Sequence, residues 1–343
     1  EGKIVLPTGQ CYSMMVLPRS GEISLDALRK IALLVKQGAC VYGNRPTGSP
    51  CKKDIGKEDE YEALVHAMWD ATGFYGNGRV FSGMTLSEAL QKMCIAPDVD
   101  GTKLYFAHRE TEDCDIYFLD NHTDRQISGQ YVFKTKYKYA QLWDAVSGRR
   151  YNLPSDKGHV TLHFLSRESC FIVFSDHKEN LEHKPSLQKQ RVLDNDWTIY
   201  FDPRYKGKGT VYCRRLEYWN ENEDPAIRYY SGTAVYRTSF EWNGDSTGVH
   251  LQIPSNNCVT EVYVNGQQAG TIWCSPWVLD ISSYMKSGKN EFELHVTNSW
   301  NNRAIDDLGQ DKNDRLIGKP ELFVSESSIL QDAGLQGEVL LRY

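Results

Sequence analysis

The sequence has no Cys-x-x-Cys pair. Its nine cysteines, Cys11, Cys40, Cys51, Cys94, Cys114, Cys170, Cys213, Cys258 and Cys274, stand singly. That spacing excludes the common zinc-ligand motifs, and the odd count leaves one thiol unpaired. Several lie in apolar strand patterns, as in Gly38–Tyr42 and Ser169–Phe174, and read as buried free thiols. No window approaches the roughly 18 apolar residues of a membrane span, and the first residues lack a charged segment followed by an apolar one. Neither sign of charge dominates: 39 basic residues face 45 acidic ones, for a net charge of -6. With no long run of either sign, a phosphate-backbone partner finds no electrostatic footprint, so nucleic acid is not expected. Internal repeats and low-complexity tracts are absent as well.

What is present is aromatic residues, 12% of the chain with 20 Tyr and 8 Trp, suited to a β-rich core or to a surface that stacks on sugars. The first hundred residues read as α/β. Ser24 is a good N-cap for an amphipathic helix with Leu25, Leu28, Ile31, Ala32 and Val35 on one face, and Gly38 stops it before a strand at Cys40–Tyr42. A second helix is expected over Glu58–Ala71, with Tyr61, Leu64, Val65 and Met68 inward. Thr85 opens a third, with Leu86, Ala89, Leu90 and Met93.

From about Lys103 the apolar period becomes two, through Leu104–Phe106, Ile116–Leu119, Tyr131–Phe133, Val160–Phe164 and Phe171–Phe174, as in an antiparallel sheet. His177–Gln190 is charged and aperiodic, the best linker in the chain. Short strands separated by Gly, Asn and Pro then continue to Tyr343 in the pattern of a sandwich. Within them Val262 and Val264 precede Asn265-Gly266, the strongest short hairpin signal, and Phe292, Leu294 and Val296 alternate after Gly288. The expected layout is an α/β domain over 1–102, an antiparallel β module over 103–176, a linker over 177–191 and a β-sandwich over 192–343.

The stretch Tyr263–Ile281 running into Gly288–Arg303 resembles the sugar-binding jelly roll of family 2 glycoside hydrolases and, more closely, the C-terminal region of family 106 α-L-rhamnosidases. Leu6–Tyr12, Val16–Pro18, Leu34–Ala39, Gly43–Pro50, His108-Arg109, Asp115–Phe118, Leu142–Asp144, Tyr230–Tyr236 and Ala333–Gly337 extend the likeness in order along nearly the whole chain. The resemblance implies an incomplete glutamine-amidotransferase-like α/β domain, the β module and a galactose-binding-like jelly roll. It places the family's catalytic barrel and paired carboxylates upstream, outside these residues. It also implies a glycan ligand, the upstream barrel of a parent enzyme as partner, and a periplasmic or extracellular location with a signal peptide before Glu1.

The expected role is therefore that of a non-catalytic accessory portion of a rhamnosidase-like enzyme acting on rhamnose-containing glycans. Trp273, Trp277 and Trp300 with Asn298, Asn301 and Arg303 form the candidate sugar contact, since indole faces stack on pyranose C–H faces while amides and guanidinium bind hydroxyls. The bland alternative is that these aromatics fill the sandwich core. Asp306, Asp307, Asp311 and Asp314 carry oxygen ligands suited to Ca²⁺ but lack the Gly and Glu positions of an EF-hand. They sit in what reads as an insertion before Arg315–Gly318. Two further readings are a thiol amide or ester hydrolase using Cys40, and a protein-interaction module without sugar binding. A nucleophile elbow needs small flanking residues, whereas Val41 and Tyr42 continue a strand.

Overall fold

The computed structural model describes residues 2–70, 73–101, 104–185, 187 and 189–343. Ala71, the expected end of the second helix, and the expected boundary at 102/103 lie outside them. Backbone contacts divide the chain into two units, 1–97 and 98–343.

The first unit holds strands β1 (Ile4–Val5) and β2 (Cys11–Tyr12) as a ribbon, and a sheet of β3 (Met15–Val16), β4 (Cys40–Tyr42), β5 (Phe74–Tyr75) and β6 (Gly78–Phe81). β3, β4 and β6 are parallel, and β5 is antiparallel to β6. Helix α1 (Leu25–Lys36) crosses between the parallel strands β3 and β4. Ser24 Oγ accepts from Ala27 N at 3.4 Å, and Leu25, Leu28, Ile31, Ala32 and Val35 are all buried. Asp26 in the first turn and Lys36 in the last complement the helix dipole. Helix α2 (Glu58–Val65) widens into a π-helical turn at His66–Asp70. There Met68 and Trp69 are buried, and the Trp69 indole donates to Gly43 O at 3.0 Å. Helix α3 (Leu86–Lys92) opens with a Thr85–Glu88 capping box. Of its expected inner face only Ala89 is fully buried, and Leu86 is exposed.

The second unit begins with β7 (Val99–Asp100), β8 (Tyr105–Glu110), β9 (Cys114–Asp120), β10 (Ile127–Phe133), β11 (Tyr139–Trp143), β12 (Arg150–Leu153), β13 (His159–Phe164) and β14 (Ser169–Ser175). They form antiparallel sheets in the orders β12-β11-β14-β9-β8 and β13-β10-β7, around a core that includes Tyr117, Tyr131, Phe133, Leu162, Ile172 and Phe174. Strand β11 escapes the period-two pattern because Ala140, Gln141 and Leu142 are all buried in succession.

The described residues of segment 177–191 are tied to their neighbours at several points. Arg150 pairs with Glu179, Asn152 N donates to Glu182 O at 2.7 Å, and Lys184 pairs with Glu168. Lys189 and Tyr343 exchange backbone hydrogen bonds, both at 3.0 Å.

The remainder is a sandwich of two antiparallel sheets on one core. Its strands are β15 (Gln190–Val192), β16 (Trp197–Phe201), β17 (Gly209–Cys213), β18 (Thr233–Trp242), β19 (His250–Gln252), β20 (Val259–Val264), β21 (Gln267–Ile272), β22 (Val278–Asp280), β23 (Gly288–Thr297) and β24 (Leu340–Arg342). The sheet orders are β15-β24-β19-β22 and β17-β16-β18-β23-β20-β21. Asn265 and Gly266 have φ of 51° and 80°, the left-handed pair that closes the tight β20–β21 hairpin. Val262, Val264, Phe292, Leu294 and Val296 point into the core with Trp197, Trp219 and Tyr236. Helix α4 (Pro225–Arg228) precedes β18, and helix α5 (Asn301–Leu308) follows β23. The acidic run read as an insertion thus begins inside a helix.

Candidate functional site

The site is built around α5. As β23 ends, the Asn298 side chain ties the chain to the β18 approach: Oδ1 accepts from Gly232 N at 2.9 Å, and Nδ2 donates to Tyr230 O at 3.0 Å. Both amide groups are spent on backbone, so Asn298 acts in folding rather than in display. Trp300 then caps the helix with its indole 45% exposed, edge-to-face on Tyr205 with ring centroids 5.8 Å apart.

Three buried side chains of α5 hold the walls on either side. Asn302 mimics a strand partner: Nδ2 donates to Gln331 O and Oδ1 accepts from Gln331 N, both at 2.8 Å. Asp307, wholly buried, accepts from Leu316 N at 2.8 Å and Ile317 N at 2.7 Å, with Lys206 Nζ at 3.4 Å. Arg303 is 2% exposed and donates through Nη1 to Asp306 at 2.6 Å. Its Nε and Nη2 have no protein partner among the described residues.

Between these walls lies a cavity of about 520 Å³ lined by Trp300, Asn301, Ala304, Ile317, Phe323 and Gln331. A second, of about 710 Å³, is lined by Asn257, Asn301, Ser328, Ile329, Gln331 and Asp332. Asn301 and Gln331 belong to both.

The six candidate sugar contacts are therefore not one constellation. Trp300 and Asn301 line the first cavity together. Arg303 lies in the interior and Asn298 is consumed by backbone. Trp277 is half-buried against the sandwich core, with φ of 63°, in the β21–β22 connection. Trp273 precedes it and is 60% exposed. The residues that complete the cleft, Ile317, Phe323 and Gln331, lie in a tract where short strands were expected but which is irregular apart from a 3₁₀ turn at Pro320–Leu322. The one hint was a scatter of large apolar residues in a loop, among them Leu322, Phe323 and Ile329, which remain exposed.

The aspartates do not converge. Among the described residues no three His, Cys, Asp or Glu side chains are grouped as a metal ion requires. Asp306 pairs with Arg303, Asp307 is held by two backbone N–H groups and Lys206, and Asp311 precedes an exposed 3₁₀ turn that ends at Asp314. Cys40 sits on β4 with its thiol pushed up by burial, partly offset by the Arg79 guanidinium. An activated nucleophile has the opposite shift.

Comparison with known proteins shows a likeness to glycoside hydrolases. More particularly, residues 1–154 match the model of the glycoside hydrolase family 106 α-L-rhamnosidases. A rhamnosidase from Novosphingobium sp. PP1Y superposes on 100% of the chain with a TM-score of 0.75 and 30% identity, the chain spanning 34% of that structure. A Formosa agariphila protein named "Putative beta-glucuronidase" is 32% identical over 126 residues, 36% of this chain and 11% of its own length. A β-glucuronidase from Ruminococcus gnavus, 21% identical over 45% of the chain and 28% of its own, has a TM-score of 0.34, too low to carry an argument. Among the described residues no helix is long and apolar enough to cross a membrane.

Proposed function

We propose that the chain is a non-catalytic, glycan-contacting portion of a family 106-like glycoside hydrolase, with residues 192–343 as a galactose-binding-like jelly roll that folds independently. Residues 1–102 would be the incomplete glutamine-amidotransferase-like domain, 103–176 the β module and 177–191 the connector. The observation that carries the reading is the half-exposed Trp300 standing beside an apolar cavity with two side-chain amides at its rim. That combination suits a pyranose, whose C–H face stacks on an indole while its hydroxyls meet amides. The chain spans only 34% of the Novosphingobium rhamnosidase, which supports a catalytic domain elsewhere in a longer protein. Its setting would be periplasmic or extracellular, and its partners a rhamnose-containing glycan and that catalytic domain.

Titration calorimetry of the chain with L-rhamnose and rhamnose-containing oligosaccharides tests the binding. Saturable heats that vanish in Trp300→Ala are expected. Reproducible turnover of an aryl α-L-rhamnoside by the chain would overturn the non-catalytic assignment.

A further inference from the structure

The two cavities beside α5 differ in chemistry and share a wall. The first is walled by Trp300, Ala304, Ile317 and Phe323; the second by Asn257, Ser328, Asp332 and the exposed Ile329. The shared wall, Asn301 and Gln331, keeps hydrogen-bonding capacity in reserve. Asn301 Nδ2 makes only long contacts, at 3.3 Å to Ile329 O and to Asn302 Oδ1, and its Oδ1 accepts from nothing among the described residues. Gln331 Oε1 accepts from Ser299 Oγ at 3.0 Å, and its Nε2 donates to nothing among them. An unused acceptor and an unused donor thus stand where the two cavities meet. Among the described residues no Lys or Arg lines either cavity, whereas Asp332 contributes a carboxylate, of which Oδ1 accepts from Asn220 Nδ2 at 3.1 Å.

Resting on the glycan-binding reading above, we infer that the cleft is a two-subsite site for a neutral oligosaccharide. One pyranose lays its apolar face into the Trp300–Phe323 cavity. Its neighbour places hydroxyls against Asn257, Ser328 and Asp332, and the Asn301 and Gln331 amides bind at the junction between the sugars. A uronate in the second subsite is rejected, because its carboxylate would be set against that of Asp332 with no cation to offset it. Vicinal hydroxyls are well matched to an aspartate, which accepts from both. Selectivity for two linked neutral units follows from the joined cavities, and discrimination by charge from a single side chain.

The probes are L-rhamnose, a rhamnosyl-rhamnose disaccharide and a rhamnosyl-galacturonate disaccharide, titrated into the full chain by calorimetry. The neutral disaccharide is expected to bind about 10-fold tighter than the monosaccharide, as one or two added hydrogen bonds give. The acidic disaccharide is expected to gain nothing over the monosaccharide. Asp332→Asn, which keeps an acceptor for Asn220, should raise the acidic disaccharide toward the neutral one. If both disaccharides bind no tighter than L-rhamnose while Trp300→Ala abolishes binding, the single-site reading stands and the two-subsite inference falls. If the acidic disaccharide binds as tightly as the neutral one to the unaltered chain, the charge filter falls. If no probe binds, or Trp300→Ala leaves binding unaltered, the glycan-binding reading itself is overturned.

Discussion

At the scale of the residue, exposure separates roles that share a residue type. Trp273 is exposed and Trp277 half-buried against the core. Trp273→Ala is expected to change stability by no more than about 0.5 kcal/mol and Trp277→Ala to cost about 2 to 4 kcal/mol, read from denaturant midpoints. Asn302→Ala removes both side-chain bonds to the Gln331 backbone and leaves that N–H and C=O unpaired. A loss of about 1 to 3 kcal/mol is expected, with looser binding at the cleft. Gly334, in the Ala333–Gly337 motif, has φ of +85°, and a Cβ there would lie 2.3 Å from the Trp219 indole nitrogen. That nitrogen donates to Tyr236 O–H at 2.6 Å in the middle of the core. Gly334→Ala is therefore expected to lower the melting temperature by far more than Gly318→Ala, whose Cβ meets nothing.

At the scale of the element, the aperiodic segment between the β module and the sandwich looks like a linker in sequence and behaves as a strap. Two of its charges are used in this way, Glu179 on Arg150 and Lys184 on Glu168. The Asn152 amide, which donates to Glu182 O, should exchange slowly with solvent and lose protection in Lys184→Ala, measured by hydrogen exchange. A second tie links the β11–β12 turn to β22, where Arg149 bonds Asp280. Burial would raise the Asp280 carboxyl, but hydrogen bonds from Ser282 and from Arg149 outweigh it and hold the pKa below the ordinary 3.8. The stability so contributed is fully present above pH 3.8 and is lost as the pH falls through the lower, folded-state value. The stability difference between the protein and Asp280→Asn should accordingly be flat near neutral pH and close under acid, in urea unfolding followed across pH.

At the scale of the whole molecule, three separate hydrophobic cores, one in the first unit and two in the second, set what can fold alone. The sandwich sheet is extended by β15, which pairs with β24, and by the Lys189–Tyr343 backbone exchange beyond it. A fragment 189–343 is expected to be more stable than 192–343 by about 2 kcal/mol, because the shorter one bares the β24 edge. Thermal melts of the two fragments check this.

Much of this fold could be read from local pattern. α1 with its cap and five inward residues, the Asn265-Gly266 hairpin and the alternating strands on either side of it follow from periodicity and turn chemistry, which act over a few residues. The family likeness was legible for the same reason, as ordered short motifs. The cleft was legible only in Trp300 and Asn301. Its remaining walls come from residues distant in sequence, among them Gln331, tied to Asn302 on one side of α5, and Ile317, tied to Asp307 on the other. Arg303, Asn298 and the aspartates looked like ligands because their chemistry is that of ligands. Whether such a group faces solvent or the interior is decided by packing between distant segments, and only the tertiary structure records that choice.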